Sequence, residues 1–566
     1  MAKAKPWEKY FSDDAKRMDT GALPAQTIPQ LLDQAVAKFA DKPALTTILP
    51  TGADTTVTYA ELKGHAVDFA TYLREDLKLE AGDTVAIMSP NCIGFCVASL
   101  GIALAGCVGT NVNPLYTPSE LEHQLNDSKA KAIVIIDLFG DKLDKIIGNT
   151  GVKHVITLSI VDFFPALKKL LLGFVLKRVR KVIPTMVTPH TRLADALAMG
   201  RKHAGRDVAS YTKGINGGSV ALYQYTSGTT GRSKGASLTH LAILTNAEQG
   251  RLVTTAIVRE GEEVALVALP LYHITAFTLL FVSGLRVGGH GILAPSPRPP
   301  GNLKAAFEKY RITWFTGINT LFAGLMAEPW FDRKLFEGIR FCGSGGAAQQ
   351  TGVAQKWQDA TGVEILQGYG MTEVAGILTF NPPGHNRLGK VGVPVPGVEV
   401  RIVDDAGKDV PHGEPGEVIA RTPSLMQSYL DNPEATADVV KDGWYYSGDI
   451  GVMDADGFIE IVDRKKDMIL VSGFNVAPNE IEDVISTLPG VAQVGVVGIA
   501  DEKTGEVPVA FVVRSDDSLT EETVVAACRE ALTNYKIPRQ IRFVDDVPVT
   551  LSGKVLRRQL REDHFG

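Results

Sequence analysis

Cysteine is scarce in this chain: Cys92, Cys96, Cys107, Cys342 and Cys528 are scattered over 566 residues and no two form a CxxC pair. That excludes a disulfide framework and points to buried thiols in a reducing compartment. Positive charge is not in excess either. The net charge is −6, which leaves no electrostatic footprint for nucleic acid. The opening stretch MAKAKPWEKYFSDDAKR lacks the apolar core of a signal peptide, and the closing His-Phe-Gly is not a peroxisomal address. There is no repeat period and no low-complexity tract. With 45% hydrophobic and 22% charged residues the composition is that of a soluble globular protein. At ~150 residues per unit, its length allows two to four folding units.

Long apolar runs are few. Residues 92–109 carry no charge over 18 positions, but they follow a β-like run and contain Gly94, Gly101 and Gly106. A helix buried between the layers of an α/β domain fits that context better than a membrane span. Residues 264–285 are uncharged but include Pro270 and His273, which suits core and a lined cavity. Residues 163–183, FFPALKKLLLGFVLKRVRKVI, combine bulky apolar side chains with six Lys/Arg and no acid. The composition suggests a membrane-surface helix. On a helical wheel the basic residues scatter, so a surface helix with snorkelling stems competes with that reading.

β-like runs alternate with helical patterns: 56–59 before a helix at 60–73, 85–88 before 92–109, the apolar 132–137, and 220–225 before a helix capped by Thr239. Such alternation predicts an α/β fold with mostly parallel sheets. From 389 to 463 short β-like runs (398–403, 416–420, 458–462) alternate with turns, predicting a small barrel-like subdomain. The last hundred residues predict a separate α+β unit, with helices near 480–488 and 521–532 and strands near 494–498 and 508–513.

The missing Gly-Lys-Ser/Thr triplet excludes a Walker A loop, yet YTSGTTGRSKG at 225–235 has the makings of a phosphate cradle. Gly228, Gly231 and Gly235 permit turns that aim backbone N–H groups at an anion, and Lys234 adds a charge. GYGMTE at 368–373 sets a carboxylate beside a hydroxyl, which suits Mg²⁺ carried on phosphate oxygens. YSGD at 446–449 and DRKKD at 463–467 supply an acid and a guanidinium for a ribose and an anion, and PVTLSGKVLR at 548–557 sets a lysine on a glycine-opened loop. Singly, each has a bland explanation as a capped turn, a surface ion pair or a solvated basic tail.

Together, in order and across nearly the whole chain, they resemble the core motifs of the acyl-adenylate-forming superfamily, which includes acyl-CoA synthetases, firefly luciferase and peptide-synthetase adenylation domains. The chain is most similar to bacterial long-chain fatty-acid:CoA ligases, through NVNPLYTPSELEHQLN at 111–126 and DRKKDMILVSGFN at 463–475. The resemblance implies a large N-terminal domain, 1–465, of two α/β subdomains and the β-rich 389–463, followed by a small mobile α+β domain, 466–566, that carries the catalytic lysine. It implies ATP, Mg²⁺ and coenzyme A as cofactor and co-substrates, and a fatty acid made first into acyl-AMP and then into acyl-CoA.

By the same resemblance Lys554 and His273 are catalytic. Thr226, Ser227, Gly228, Thr229, Thr230, Gly231, Lys234, Gly345, Gly346, Gly368, Tyr369, Gly370, Thr372, Asp449 and Arg464 bind the nucleotide. Glu373 holds the metal, with Ser227 or Thr230 beside it. Lys466 is the hinge, Tyr272 and Phe277 gate the acyl pocket, and Ser472, Gly473 and Phe474 line the CoA path. Ser233, Ser344, Ala348 and Ser447 depart from the family pattern. A cytoplasmic enzyme is implied, with peripheral attachment to the inner face of the membrane and a homodimer compatible with it. The rival readings are a P-loop ATPase, a non-enzymatic lipid-binding protein, and a ligase of the same fold that takes medium-chain or aryl acids or loads an acyl carrier protein.

Overall fold

The computed structural model describes residues 5–565 except 17, 204, 206, 227–232, 473, 502 and 551–552, and without the side chains of 14 and 475. Four sheets account for its frame. The first has seven strands around Thr84–Met88, Val108–Val112 and Ala132–Ile136, all fully buried and paired in parallel. Its edge is the antiparallel pair Val220–Tyr225 and Gly235–Thr239, with the glycine-rich loop between them. The apolar run after residue 92 forms helix Ile93–Leu104, buried along almost its whole length. A Cβ at Gly101 would stand 2.8 Å from the Phe69 ring, so glycine there lets this helix press against helix Tyr59–Thr71. Among the described residues no helix is long and apolar enough to cross a membrane.

The second sheet has nine strands. Pro43–Ile48, His290–Leu293, Val264–Val267, Trp314–Gly317, Phe341–Ser344 and Leu366–Met371 run parallel in that spatial order. Parallel strands all present their carboxyl ends on one side, where ligands gather in open α/β sheets. Here that edge carries Gly317, Ser344, Gly345 and residues 368–371, where strand Leu366–Met371 runs on past its parallel neighbour to pair antiparallel with Gly376–Phe380.

The β-rich segment follows. Glu399–Val403, Gly416–Arg421, Trp444–Met453 and Ile459–Arg464 are antiparallel neighbours in one sheet. From Ile469 onward the described strands pair only with each other, Gly505–Arg514 at the centre and Val491–Asp501 along its edge. Helices Pro478–Ser486 and Glu521–Ala531 pack on that sheet around a core of their own, including Ile481, Ile485, Val496 and Val512.

Candidate active site

Antiparallel register puts Asp449 opposite Arg464 on adjoining strands. The Arg464 Nε lies 3.1 Å from Asp449 Oδ1, and the Tyr369 hydroxyl donates to Oδ2 at 2.6 Å. Burial, then the adjoining Asp449 carboxylate, hold the Tyr369 phenol well above its ordinary value, so it stays a donor. Each carboxylate oxygen still has a lone pair for a ligand hydroxyl. Gly448 supplies the turn with φ +70°. The Ser447 hydroxyl fixes that turn, donating to the Val418 carbonyl at 2.6 Å and accepting the Asp449 N–H at 3.1 Å. Serine therefore makes the bonds needed at this departure from the family pattern.

Glu373 is buried beside that pair and accepts the Tyr429 hydroxyl at 2.6 Å. The Lys234 ammonium stands 5.1 Å above the Tyr429 ring. The foot of the glycine-rich loop is closed by Thr226 N–H on the Lys234 carbonyl at 3.0 Å. Gly370 must be glycine, because a Cβ would collide with the Gly376 carbonyl, and Thr372 begins the turn that ends in Ala375 at φ +62°. Ser227, Gly228, Thr229, Thr230, Gly231 and Gly473 lie outside the described residues.

Lys554 reaches this cluster from a loop that follows the small carboxyl-terminal sheet. Its loop is held by Thr550 N–H on the Lys554 carbonyl at 2.7 Å and by the Lys554 N–H on Thr550 Oγ1 at 3.0 Å. Gly553, at φ +81°, lets the loop sit on Ile318, where a Cβ would come within 2.9 Å. Burial first, and the Arg464 guanidinium second, push the ammonium down to about 8, with Asp449 and Asp467 acting the other way. Acid and guanidinium thus come from adjoining strands, and the lysine joins them from a loop remote in sequence.

Next to Tyr369 opens an apolar cavity; the space between its lining residues, counted together with the solvent at its mouth, is about 1130 Å³. Gly345, Gly346, Gly368 and Gly370 line it at the carboxyl ends of the strands, and Glu263 and His290 at the amino ends, with Leu279, Leu280 and Trp314 between. It therefore runs the full length of four-residue strands, about 13 Å at ~3.3 Å per residue. At the far end Glu263 is fully engaged by Thr313 Oγ1, Arg340 Nη2 and the Arg259 N–H, at 2.6, 2.7 and 2.7 Å. Burial pushes His290 down to about 4, so a neutral ring closes the other side.

Other expected site residues are placed differently. Phe277 does not line the cavity: it opens the wide-turn helix Phe277–Val282 and points away, toward Phe281 and a crevice near Ile28 and Leu222. Thr275, Ala276 and Leu279 face the cavity in its place. Tyr272 is also outside the lining, and its carbonyl accepts Gln224 Nε2 at 3.1 Å. His273 caps a short helix, its Nδ1 facing the Thr275 N–H at 3.4 Å, with its pKa lowered by burial. Ser472 and Phe474 are away from the cavity, Phe474 stacking on Tyr535 at 4.7 Å. Lys466 sits in the turn after Arg464, its pKa lowered by burial and then by that guanidinium. Sequence reasoning missed Tyr429, Ile318 and the cavity glycines Gly284, Gly289, Gly291 and Gly343, which no local motif marks.

Comparison with known proteins gives the same picture. Residues 32–430 match the family described as AMP-binding enzyme, and residues 480–554 match the AMP-binding enzyme C-terminal domain. A long-chain-fatty-acid–CoA ligase of Escherichia coli is 42% identical over 543 residues, 96% of this chain and 95% of that protein. One from Yersinia pestis is 41% identical, covering 99% and 98%. Among solved structures, an anthranilate CoA ligase in complex with anthranoyl-AMP has TM-score 0.84 at 25% identity, covering 96% of this chain and 99% of that one. ATP-bound MatB from Rhodopseudomonas palustris has TM-score 0.80 at 30% identity, covering 95% and 99%.

Proposed function

The chain belongs to the AMP-binding enzyme family, and from that premise we propose that it activates a long-chain fatty acid with ATP and transfers the acyl group to coenzyme A. The observation that carries the substrate is the deep apolar cavity opening beside Tyr369 and the Asp449–Arg464 pair. An alkyl tail gains ~0.8 kcal/mol for each methylene it buries there.

In the first half-reaction a carboxylate oxygen bonds to the α-phosphorus of ATP while the bond to the β-phosphate oxygen breaks, and pyrophosphate leaves. A carboxylate is ionised at neutral pH and needs no base, so the task is to stabilise charge on the reacting oxygens. We assign that to Lys554, the ribose hydroxyls to Asp449 supported by Arg464, and the adenine to the space between Gly345–346 and Tyr369. Mg²⁺ binds through one or two carboxylates plus substrate phosphates. Glu373 fits it, with one oxygen left beyond the Tyr429 bond, and the ion would neutralise phosphate charge there. In the second half-reaction the CoA sulfur bonds to the acyl carbon, the bond to AMP breaks, and the thiol proton leaves to solvent. Lys554 occupies the site a thiol would have to approach, so we place a domain boundary at 465/466 and a rotation of the small domain about Lys466 between the steps.

We further place a membrane contact on helix Ala166–Phe174. Leu167, Leu170, Leu171 and Phe174, at one-face spacing, are 81%, 73%, 63% and 58% exposed. Six Lys/Arg and no acid share residues 163–183, which suits an anionic bilayer that also supplies the substrate.

The test is pyrophosphate release, with acyl-AMP trapped by hydroxylamine, across acids from acetate to oleate and aryl acids. Long-chain acids should give the highest kcat/KM. Preference for an aryl or short acid would overturn the substrate, and no pyrophosphate with any acid would overturn the reaction.

A further inference from the structure

We propose that Asp463 and Arg557 are positioning residues for adenylate formation, a buried carboxylate and a buried guanidinium that dock Lys554 over the nucleotide site. The inference rests on the two-step reading above and goes beyond it.

Side chains alternate along a strand, so when Arg464 turns toward Asp449 its neighbour Asp463 turns the other way, into the carboxyl-terminal domain. There Asp463 Oδ2 accepts the Asn479 N–H at 3.0 Å, in the first turn of helix Pro478–Ser486, whose amino end favours negative charge. Arg557 Nη1 lies 3.8 Å from Asp463 Oδ1. The rest of that guanidinium is fixed: Nη2 donates to Asn479 Oδ1 at 2.7 Å and Glu482 Oε1 at 2.9 Å, and Nε donates to the Val496 carbonyl at 3.1 Å. Asn479 Nδ2 reaches back to the Val462 carbonyl at 3.3 Å.

The cluster ties two places that matter. On one side it is a single residue from Arg464. On the other, Arg557 opens helix Arg557–Phe565, three residues beyond Lys554, and the intervening chain is held by the Val549–Val555 bridge. Arg557, Asn479 and Glu482 belong to the small domain and would keep their mutual bonds wherever that domain sat. Asp463 comes from the large domain and recognises only the docked arrangement. A buried ion pair is a poor source of net stability, because desolvation offsets its attraction. It is well suited to fixing one orientation, and a displacement of Lys554 by ~1 Å is enough to cost up to ~100-fold in rate.

The variant that reads this is Asp463→Asn, which keeps shape and one acceptor oxygen but removes the charge, with Asn479→Ala, which deletes the Nδ2 bond to the Val462 carbonyl, as a second removal from the opposite side. Adenylate formation should fall by about 10- to 100-fold, while thioester formation from supplied acyl-AMP stays within about twofold of wild type. The double variant Asp463→Asn/Lys554→Ala should be no slower than Lys554→Ala alone, because a residue acting through Lys554 has nothing left to position. Equal loss in both half-reactions, full addition in the double variant, or unchanged adenylation by both single variants would overturn the proposal. One dye on each domain reports docking by fluorescence transfer without turnover, and Asp463→Asn should deplete the high-transfer population. An unchanged distribution would overturn it even if the wild-type protein made no adenylate, an outcome that would itself refute only the functional reading.

Discussion

Adenylate formation should lose activity in mildly alkaline solution because of where Lys554 sits. Burial and the neighbouring Arg464 bring its ammonium down to about 8, against the partial compensation of Asp449 and Asp467. The cation is the working form, so activity is present below that value and is lost as pH rises through it. The charged fraction goes from roughly 90% at pH 7 to roughly 10% at pH 9, about a tenfold fall, whereas a lysine at ~10.4 would lose only ~5%. The assay is the initial rate of pyrophosphate release at subsaturating ATP and fatty acid, since kcat/KM reports groups of the free enzyme. Lys554→Arg should remove the alkaline limb up to pH 9.5. Lys554→Ala should lower the rate ~100-fold and flatten the profile, in line with the loss of single preorganised charge contacts. A wild-type rate that is level from pH 7 to 9.5, or the same limb persisting in Lys554→Arg, would refute the reasoning.

Lys466→Pro, which fixes φ in the turn after Arg464, should slow thioester formation more than adenylate formation, and half-reaction assays that show the CoA step untouched would remove the rotation. Gly284 meets nothing within 4 Å at its Cβ position and faces the cavity. Gly284→Leu that shuts out three methylenes should cost long acids ~2.4 kcal/mol, about 50-fold in kcat/KM, with short acids unaffected, and an equal loss for all lengths would count against the cavity as the acyl site. Replacing Leu167, Leu170, Leu171 and Phe174 by serine should abolish sedimentation with phosphatidylglycerol vesicles while leaving activity on detergent-dispersed acid, and undiminished binding would move the membrane contact elsewhere.

Much of the frame was legible because local rules agree with it. Thr239 does cap its helix, accepting the Ala242 N–H, and the 56–59, 85–88 and 132–137 runs fall on strands Asp54–Thr58, Thr84–Met88 and Ala132–Ile136, with Tyr59 already opening the next helix and Asp137 a short turn. The stripe on residues 163–183 was obscured for a geometric reason. The α-helix ends at Phe174 and gives way to a wider turn over Val175–Val179, so a wheel drawn at one angular step smears two faces together. Phe277 was misplaced by the same kind of turn, since Phe277–Val282 rotates the side chain off the cavity. Tyr429 against Glu373, and Asp463 against Arg557, are meetings of residues remote in sequence, and only the packing of whole layers brings them together.

The glycines along the cavity have a consequence for how chain length is measured. In the acyl pocket we propose, the floor at Gly291 and Gly343 is peptide main chain, tied into its sheet and unable to swing aside as a rotamer would. Such a floor acts as a rigid ruler. Its scale is reset from the facing helix, at Gly284, where a Cβ meets nothing within 4 Å, and not at Gly343 or Gly368, where a Cβ would stand 2.8 and 2.6 Å from the Phe341 and Phe380 rings; one substitution there changes the acid taken while the catalytic frame stays still.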